Sequence, residues 1–238
     1  MKSIDSFLLE IQCFYMERKI NYYLKSLDEI DSIKEEYKDR KPTLLLHSCC
    51  GPCACFPLTF LCPIFDVTIL YNNSNIYPFE EYDRRLNELK KVLEFIKRDY
   101  GYEINLIEVK YNHDEYMKDL EPFKDQKEGS SRCVLCYTKR MKEAYDYAEE
   151  NNFDFFTTVM TISRQKNSQI LNKIGKGLEE THSKTRYFYS DFKKNKGIDI
   201  GQEMAKEYSL YRQLYCGCEY SKIQSETKNN NVAMKKDI

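Results

Sequence analysis

Eight of the ten cysteines in this 238-residue chain fall into three tight groups: Cys49, Cys50, Cys53 and Cys55; Cys133 and Cys136; Cys216 and Cys218. No export signal opens the sequence, so a reducing compartment is expected, where clustered thiols serve as metal ligands or redox catalysts rather than bridges. Cys49 and Cys50 belong to S-C-C-G-P-C, directly after a predicted strand. Adjacent side chains of a continuing strand would point to opposite faces, so a turn at Gly51 and Pro52 is expected to bring both thiols to one crevice. Cys133 and Cys136, in R-C-V-L-C-Y, open a predicted helix, where positions i and i+3 share a face. Unpaired N–H groups at the helix start favour thiolates there. Four thiolates suffice for either a Zn(Cys)4 site or a [4Fe–4S] cluster. The adjacent pair fits the two-knuckle geometry of structural zinc poorly and favours the cluster.

Cys216 and Cys218 flank Gly217. Two cysteines one residue apart can close a small, strained disulfide, and glycine lowers the steric cost of the backbone this needs. Strain makes such a bond easy to reduce, which suits an electron carrier better than a brace. Cys53 and Cys55 can each lend a further thiolate to a neighbouring metal. Cys13 and Cys62 are isolated and are expected to pack as small apolar residues.

Holding these sulfurs together requires a scaffold. Apolar runs at 43–47, 66–71, 104–109 and 153–158 alternate with helical stretches near 53–61, 79–99 and 131–150, the last with Met141, Ala144, Tyr145 and Ala148 on one side. That alternation predicts an α/β fold, an open parallel sheet flanked by helices, with its ligand crevice beyond the carboxyl ends of the strands. Residues 1–41 read as an N-terminal helical extension, with Ile4, Phe7, Leu8, Ile11, Tyr15, Ile20, Tyr23 and Leu24 at helical spacing. The catalytic domain is expected over 42–222. From Glu219 onward periodicity and apolar content fade, and 223–238 are expected to form a disordered tail.

The composition, 42% apolar and 32% charged with 8 glycines and 6 prolines, excludes a collagen-like or wholly disordered chain. No apolar run is long enough for a membrane span, and a cytoplasmic location is expected. With 37 basic against 38 acidic residues, contact with nucleic acid must come from a local patch. The best such patch is 161–196, which carries nine Lys or Arg and three acids, with Tyr187, Phe188 and Tyr189 interleaved. Phosphates attract such lysines and arginines, and RNA bases stack on aromatic rings.

Taken in order, L-L-L-H-S-C-C-G-P-C, N-S-N-I-Y-P-F-E-E-Y-D-R-R, R-C-V-L-C-Y-T-K-R-M, F-T-T-V-M-T-I-S-R-Q-K-N, D-F-K-K and E-Y-S-L-Y-R-Q-L-Y-C-G-C-E-Y-S closely resemble the cobalamin-independent epoxyqueuosine reductase family, QueH, over about residues 43–222. The resemblance implies reduction of epoxyqueuosine to queuosine at the wobble position of tRNA anticodons, the last step of queuosine synthesis. It further implies a HUP-like α/β domain, a [4Fe–4S] cluster on Cys49, Cys50, Cys133 and Cys136, and a redox-active disulfide of the catalytic pair Cys216 and Cys218. The expected partners are tRNA carrying epoxyqueuosine and an electron donor. Cys53 could hold an additional iron beside the cluster.

Turning an epoxide into an alkene takes two electrons and two protons and releases water. Asp83, Tyr77 and Tyr71, near the end of the second strand, are candidate proton donors. The alternative from the residues alone is a zinc-stabilised RNA-binding module without redox activity, with the same four thiolates in a closed site. An ATP-using tRNA thiolation enzyme would need a Gly/Ser-rich phosphate loop after the first strand, where this chain has S-C-C-G-P-C.

Overall fold

The computed structural model describes residues 19–234. The four apolar runs form β1 (Thr43–His47), β2 (Asp66–Tyr71), β3 (Asn105–Glu108) and β4 (Phe155–Thr158). A fifth strand, β5 (Arg186–Tyr187), is too short for any alternation to mark it in the sequence. Every pairing is parallel, in the order β3-β2-β1-β4-β5. The helices are α1 (Tyr22–Glu36), α2 (Gly51–Leu61), α3 (Phe79–Tyr100), α4 (His113–Lys118), α5 (Ser131–Glu150), α6 (Ser168–Glu179), α7 (Gly197–Glu207) and α8 (Glu219–Met234). The expected α/β architecture is thus present as a five-stranded parallel sheet flanked by helices.

Strand alternation divides the core between the two faces of the sheet. Leu44 and Leu46 of β1 join Ala54, Leu58, Leu89 and Val92 on the side covered by α2, α3 and α7. Leu45 joins Met141, Ala144, Tyr145, Ala148 and Phe156 on the side of α5 and α6. Among the described residues, no helix is long and apolar enough to cross a membrane.

Two expectations at the termini change. Of the apolar stripe expected on the N-terminal extension, Ile4 to Tyr15 lie outside the described residues, while Ile20 and Leu24 are exposed. The helix instead buries Tyr22, which stacks on Tyr189 with ring centroids 5.7 Å apart, and Ile30 and Ile33, which join the core with Leu44 and Leu46. At the other end, the chain from Glu219 continues as α8 to Met234 rather than losing regular structure. The segment contains no glycine or proline, so a helix costs it little even without an apolar stripe.

Asp154 ties β1 to the base of β4. It accepts hydrogen bonds from Arg40 at 2.7 and 2.8 Å and from the Thr43 N–H at 2.8 Å. The Arg40 hydrogen bond, helped by those from Thr43, holds the carboxyl down from 3.8 to about 2. A depressed carboxylate contributes stability that is present above the unfolded value and lost as pH falls through the folded one. Urea midpoints are therefore expected to drop from about pH 4 towards pH 2, and Asp154→Asn to flatten that limb. Parallel acid limbs in the two proteins would refute the assignment.

Candidate active site

β1 and β4 lie side by side, and from them the strand order runs outward in opposite directions. That reversal opens a crevice at the carboxyl ends of the two strands, where open α/β sheets bind ligands. The chain leaves β1 through Ser48, Cys49 and Cys50, and Cys50 is the N-cap of α2. Gly51 and Pro52 therefore begin a helix rather than forming a separate turn. Proline suits the first helical turn because no partner for its missing N–H is required there. Glycine is required because a Cβ at position 51 would lie 2.6 Å from the carbonyl oxygen of Glu88 on α3.

The helix start brings Cys53 into register with the adjacent pair. The sulfurs of Cys49, Cys50 and Cys53 all lie within 4.8 Å of one another, and Cys49 Sγ and Cys50 Sγ are 3.9 Å apart. For metal–sulfur bonds of about 2.3 Å in tetrahedral geometry, neighbouring sulfurs are ~3.8 Å apart. The three thiols can therefore serve one metal. Hydrogen bonding from Cys50 and Cys53, aided by the charges of Arg140 and Lys166, pushes the Cys49 thiol well down. Cys50, with Cys49 beside it, is pushed up to about 12. One thiolate is thus already favoured here, at the positive end of α2. Gln213 Nε2 reaches in at 3.1 Å from Cys50 Sγ and 3.9 Å from Cys53 Sγ.

Cys133 and Cys136 occupy the first turns of α5 as the spacing predicts, both buried. With Cys216, Cys218 and the ring of Tyr137 they line a small enclosed cavity of ≈ 20 Å³. Cys133 Sγ accepts from the Gly129 N–H at 3.2 Å, and Cys136 Sγ from the Tyr116 hydroxyl at 3.3 Å. Burial pushes Cys136 up to about 12 and raises Cys133 and Cys218. Cys216 and Cys218 are free thiols. Gly217 between them has φ 135°, a conformation reserved for glycine. Arg85 on α3 is buried, paired with Glu81 at 2.7 Å, and donates to the carbonyls of Cys216 at 2.9 Å and Tyr215 at 3.1 Å. The C-G-C segment is thereby held against the body of the domain.

Two buried cations join the groups. Arg140 on α5 faces Cys136, Cys49 and Cys216; Lys166, after β4, faces Cys216, Cys49 and Cys53. Burial opposes both charges, yet the nearby sulfurs more than offset it and raise both pKa values. Neither cation has a carboxylate partner among the described residues. Arg140 donates to Asn73 Oδ1 at 2.7 Å and approaches His47 Nε2 at 3.2 Å, while His47 Nδ1 lies 2.7 Å from Thr158 Oγ1. Burial, with Arg140 adding to it, pushes His47 down to about 3, so its imidazole is neutral at physiological pH.

The other expected site residues fare differently. Tyr71 is buried and its hydroxyl donates to the Tyr82 carbonyl at 2.9 Å, which occupies it structurally. Asp83 accepts from Asn87 along the exposed side of α3, and Tyr77 is 40% exposed, its ring tilted against that of His113. In the basic segment, Tyr187 and Phe188 are fully buried and Tyr189 is covered by Tyr22, so these rings are core and not a stacking platform. Lys166 has turned into the sulfur site, and Arg186 pairs with Glu36 at 2.7 Å. Arg140, Lys166, Arg85, Tyr116 and Gln213 are the residues sequence reasoning missed. Only the three-residue spacing of Cys50 and Cys53 was available to place Cys53 beside the pair.

The family described as Epoxyqueuosine reductase QueH matches residues 44–224. The chain belongs to the QueH family. Proteins named epoxyqueuosine reductase QueH include one from Streptococcus pyogenes, 35% identical over 204 residues, which are 86% of this chain and 79% of that protein. One from Staphylococcus aureus is 36% identical over 77% of each chain, and one from Thermotoga maritima is 29% identical over 82% of this chain and 97% of its own. This member of the QueH family is accordingly an oxidoreductase. The matched span takes in all three sulfur segments.

Proposed function

We propose that the enzyme reduces epoxyqueuosine to queuosine at the wobble position of tRNA. The observation that carries this reading is two groups of thiols, Cys49, Cys50 and Cys53 in one and Cys133, Cys136, Cys216 and Cys218 around a cavity, with the buried cations Arg140 and Lys166, which lack carboxylate partners among the described residues and each interact with thiols of both groups. A buried positive pair of this kind calls for an anion. A thiolate-ligated iron–sulfur cluster is such an anion, and the donors Arg140 Nε and Arg132 NH2 are buried without partners. The donor set therefore fits the group. Cys49, Cys50, Cys133 and Cys136 would hold a [4Fe–4S] cluster, and Cys53 an additional iron. When bound, the cluster supplies electrons one at a time.

The dithiol supplies them in pairs. Closing Cys216 and Cys218 to a disulfide releases two electrons and two protons, which the epoxide takes up as it becomes an alkene and a water molecule. A separate electron donor then reopens the disulfide. Lys166 Nζ holds its proton and positive charge beside Cys216, where negative charge develops on the departing oxygen. Tyr116 orients Cys136 through its hydroxyl, and Arg85 orients the C-G-C backbone.

The test is anaerobic incubation of iron-reconstituted protein with epoxyqueuosine-containing tRNA and dithionite, followed by mass analysis of the released nucleosides. Loss of one oxygen from the modified nucleoside is expected. An unchanged nucleoside with iron-replete protein would overturn the reading. Colourless protein carrying stoichiometric zinc would favour a closed zinc site, since the Cys49, Cys50 and Cys53 sulfurs also suit a single tetrahedral ion.

A further inference from the structure

A second cavity opens directly onto the sulfurs, and no step described so far uses it. It is a solvent-open cleft of ≈ 200 Å³ between the segment after β4, helix α7 and the chain just before C-G-C. Cys53 lies within it, and so does Gln213, whose amide reaches both Cys50 and Cys53. Pro52, Ile162 and Ile198 give it apolar walls, and Gln202 adds a second carboxamide. Arg164 and Arg212 stand at its edges. The Arg164 side chain is 66% exposed, with only the equally exposed Asp199 near it at 3.8 Å. Arg212 is exposed and makes no ion pair among the described residues.

Each feature answers to one kind of ligand. Apolar walls accept the faces of a heterocyclic base, and carboxamides, which donate and accept, read its edge. Exposed guanidinium groups at a cleft mouth bind phosphate oxygens through their planar fork, and the long, solvent-exposed contact of Arg164 with Asp199 is readily exchanged for one. Enzymes that act on a base take it out of the stack and into a pocket. A cleft that ends at a thiol places any group carried on that base next to the redox site.

We propose that this cleft binds one extruded nucleotide of a single-stranded RNA loop, with the base between Pro52, Ile162 and Ile198, its edge on Gln202 and Gln213, and the flanking phosphates on Arg164 and Arg212. The proposal rests on the reductase reading for the identity of the base and supplies its docking geometry. It also relocates the RNA contact of the basic segment. Arg164 remains in that contact, whereas Tyr187, Phe188 and Tyr189 leave it.

The experiment uses full-length, iron-reconstituted protein and a tRNA anticodon stem-loop as the probe, with binding read by fluorescence anisotropy across a salt series. Arg164→Ala combined with Arg212→Ala is expected to weaken binding about tenfold and to reduce the slope of log affinity against log salt by about 0.7 per arginine. Lys184→Glu, in the same basic segment but outside the cleft, is expected to leave both nearly unchanged. In metal-free protein, alkylation of Cys53 mapped by mass spectrometry is expected to slow at least fivefold when the stem-loop is added. Unaltered affinity and slope in the double variant, an equal loss with Lys184→Glu, or unprotected Cys53 would each overturn the proposal. Failure of the reductase reading gives a different pattern: wild-type protein would bind the stem-loop through these arginines yet return epoxyqueuosine unchanged.

Discussion

Cys216→Ser and Cys218→Ser are each expected to lower epoxyqueuosine reduction by about three orders of magnitude, and the double variant to be no worse than either single one. The reason is stoichiometric. A lone thiol cannot close an intramolecular disulfide, so one missing sulfur removes both electrons that the pair delivers. The two residues are held for this purpose by unusual means. Gly217 adopts φ 135°, and a Cβ there would come within 3.1 Å of Arg85, whose guanidinium fixes the Cys216 and Tyr215 carbonyls. The sensitive measurement is a single turnover under anaerobic conditions with pre-reduced, iron-replete protein and no added reductant. Wild type is expected to form about one queuosine per protein, and both serine variants essentially none. Full single-turnover yield in both would remove the dithiol from the mechanism. Loss of iron in either variant would make that cysteine a ligand of the neighbouring cavity instead.

The scaffold was legible because strands buried on both faces read as continuous apolar runs, and β1, β2 and β4 are of this kind. The first turns of α5 were equally plain, since Cys133 and Cys136 share a face at helical spacing. β5 was not legible, for two residues carry no period. Nor was the burial of Tyr187, Phe188 and Tyr189, which depends on three distant partners: Gly175 of α6, Phe65, and Tyr22 of α1. In a linear reading these rings beside lysines looked like an RNA platform. The largest omission was electrostatic. Arg140 and Lys166 belong to different segments and reach the sulfurs only after β1 and β4 pair. Charge counting along the chain places Lys166 in the RNA-contacting patch 161–196, although it is only 9% exposed. Local composition reports where charge is plentiful; it does not report which single charge has been carried inside.

That buried charge leads to the most discriminating stability measurement. Arg140→Met is expected to lower the unfolding free energy of the metal-loaded protein by about 3–5 kcal/mol, and that of the metal-free protein by much less. Two effects oppose each other in the metal-free form. Methionine leaves His47 Nε2 and Asn73 Oδ1 without the donor they now share, at about 1–3 kcal/mol each. It also relieves the desolvation of a guanidinium that only the neighbouring thiols compensate, which recovers part of that loss. In the loaded form that recovery disappears, because the thiolate-bound anion pairs with the guanidinium, and its removal leaves a buried negative charge with one cation fewer facing it. Urea midpoints of the loaded and metal-free proteins, with and without the substitution, form a double-mutant cycle whose coupling term isolates the pairing. A coupling near zero would mean that Arg140 compensates only the lone Cys49 thiolate and polar neighbours already present without metal. The same substitution is expected to raise the pH at which Cys49 alkylates, since Arg140 is one of the charges that hold that thiol down. The two readouts are independent, one of folding and one of a single sulfur, and a cation placed to hold an anion at this sheet end must move both.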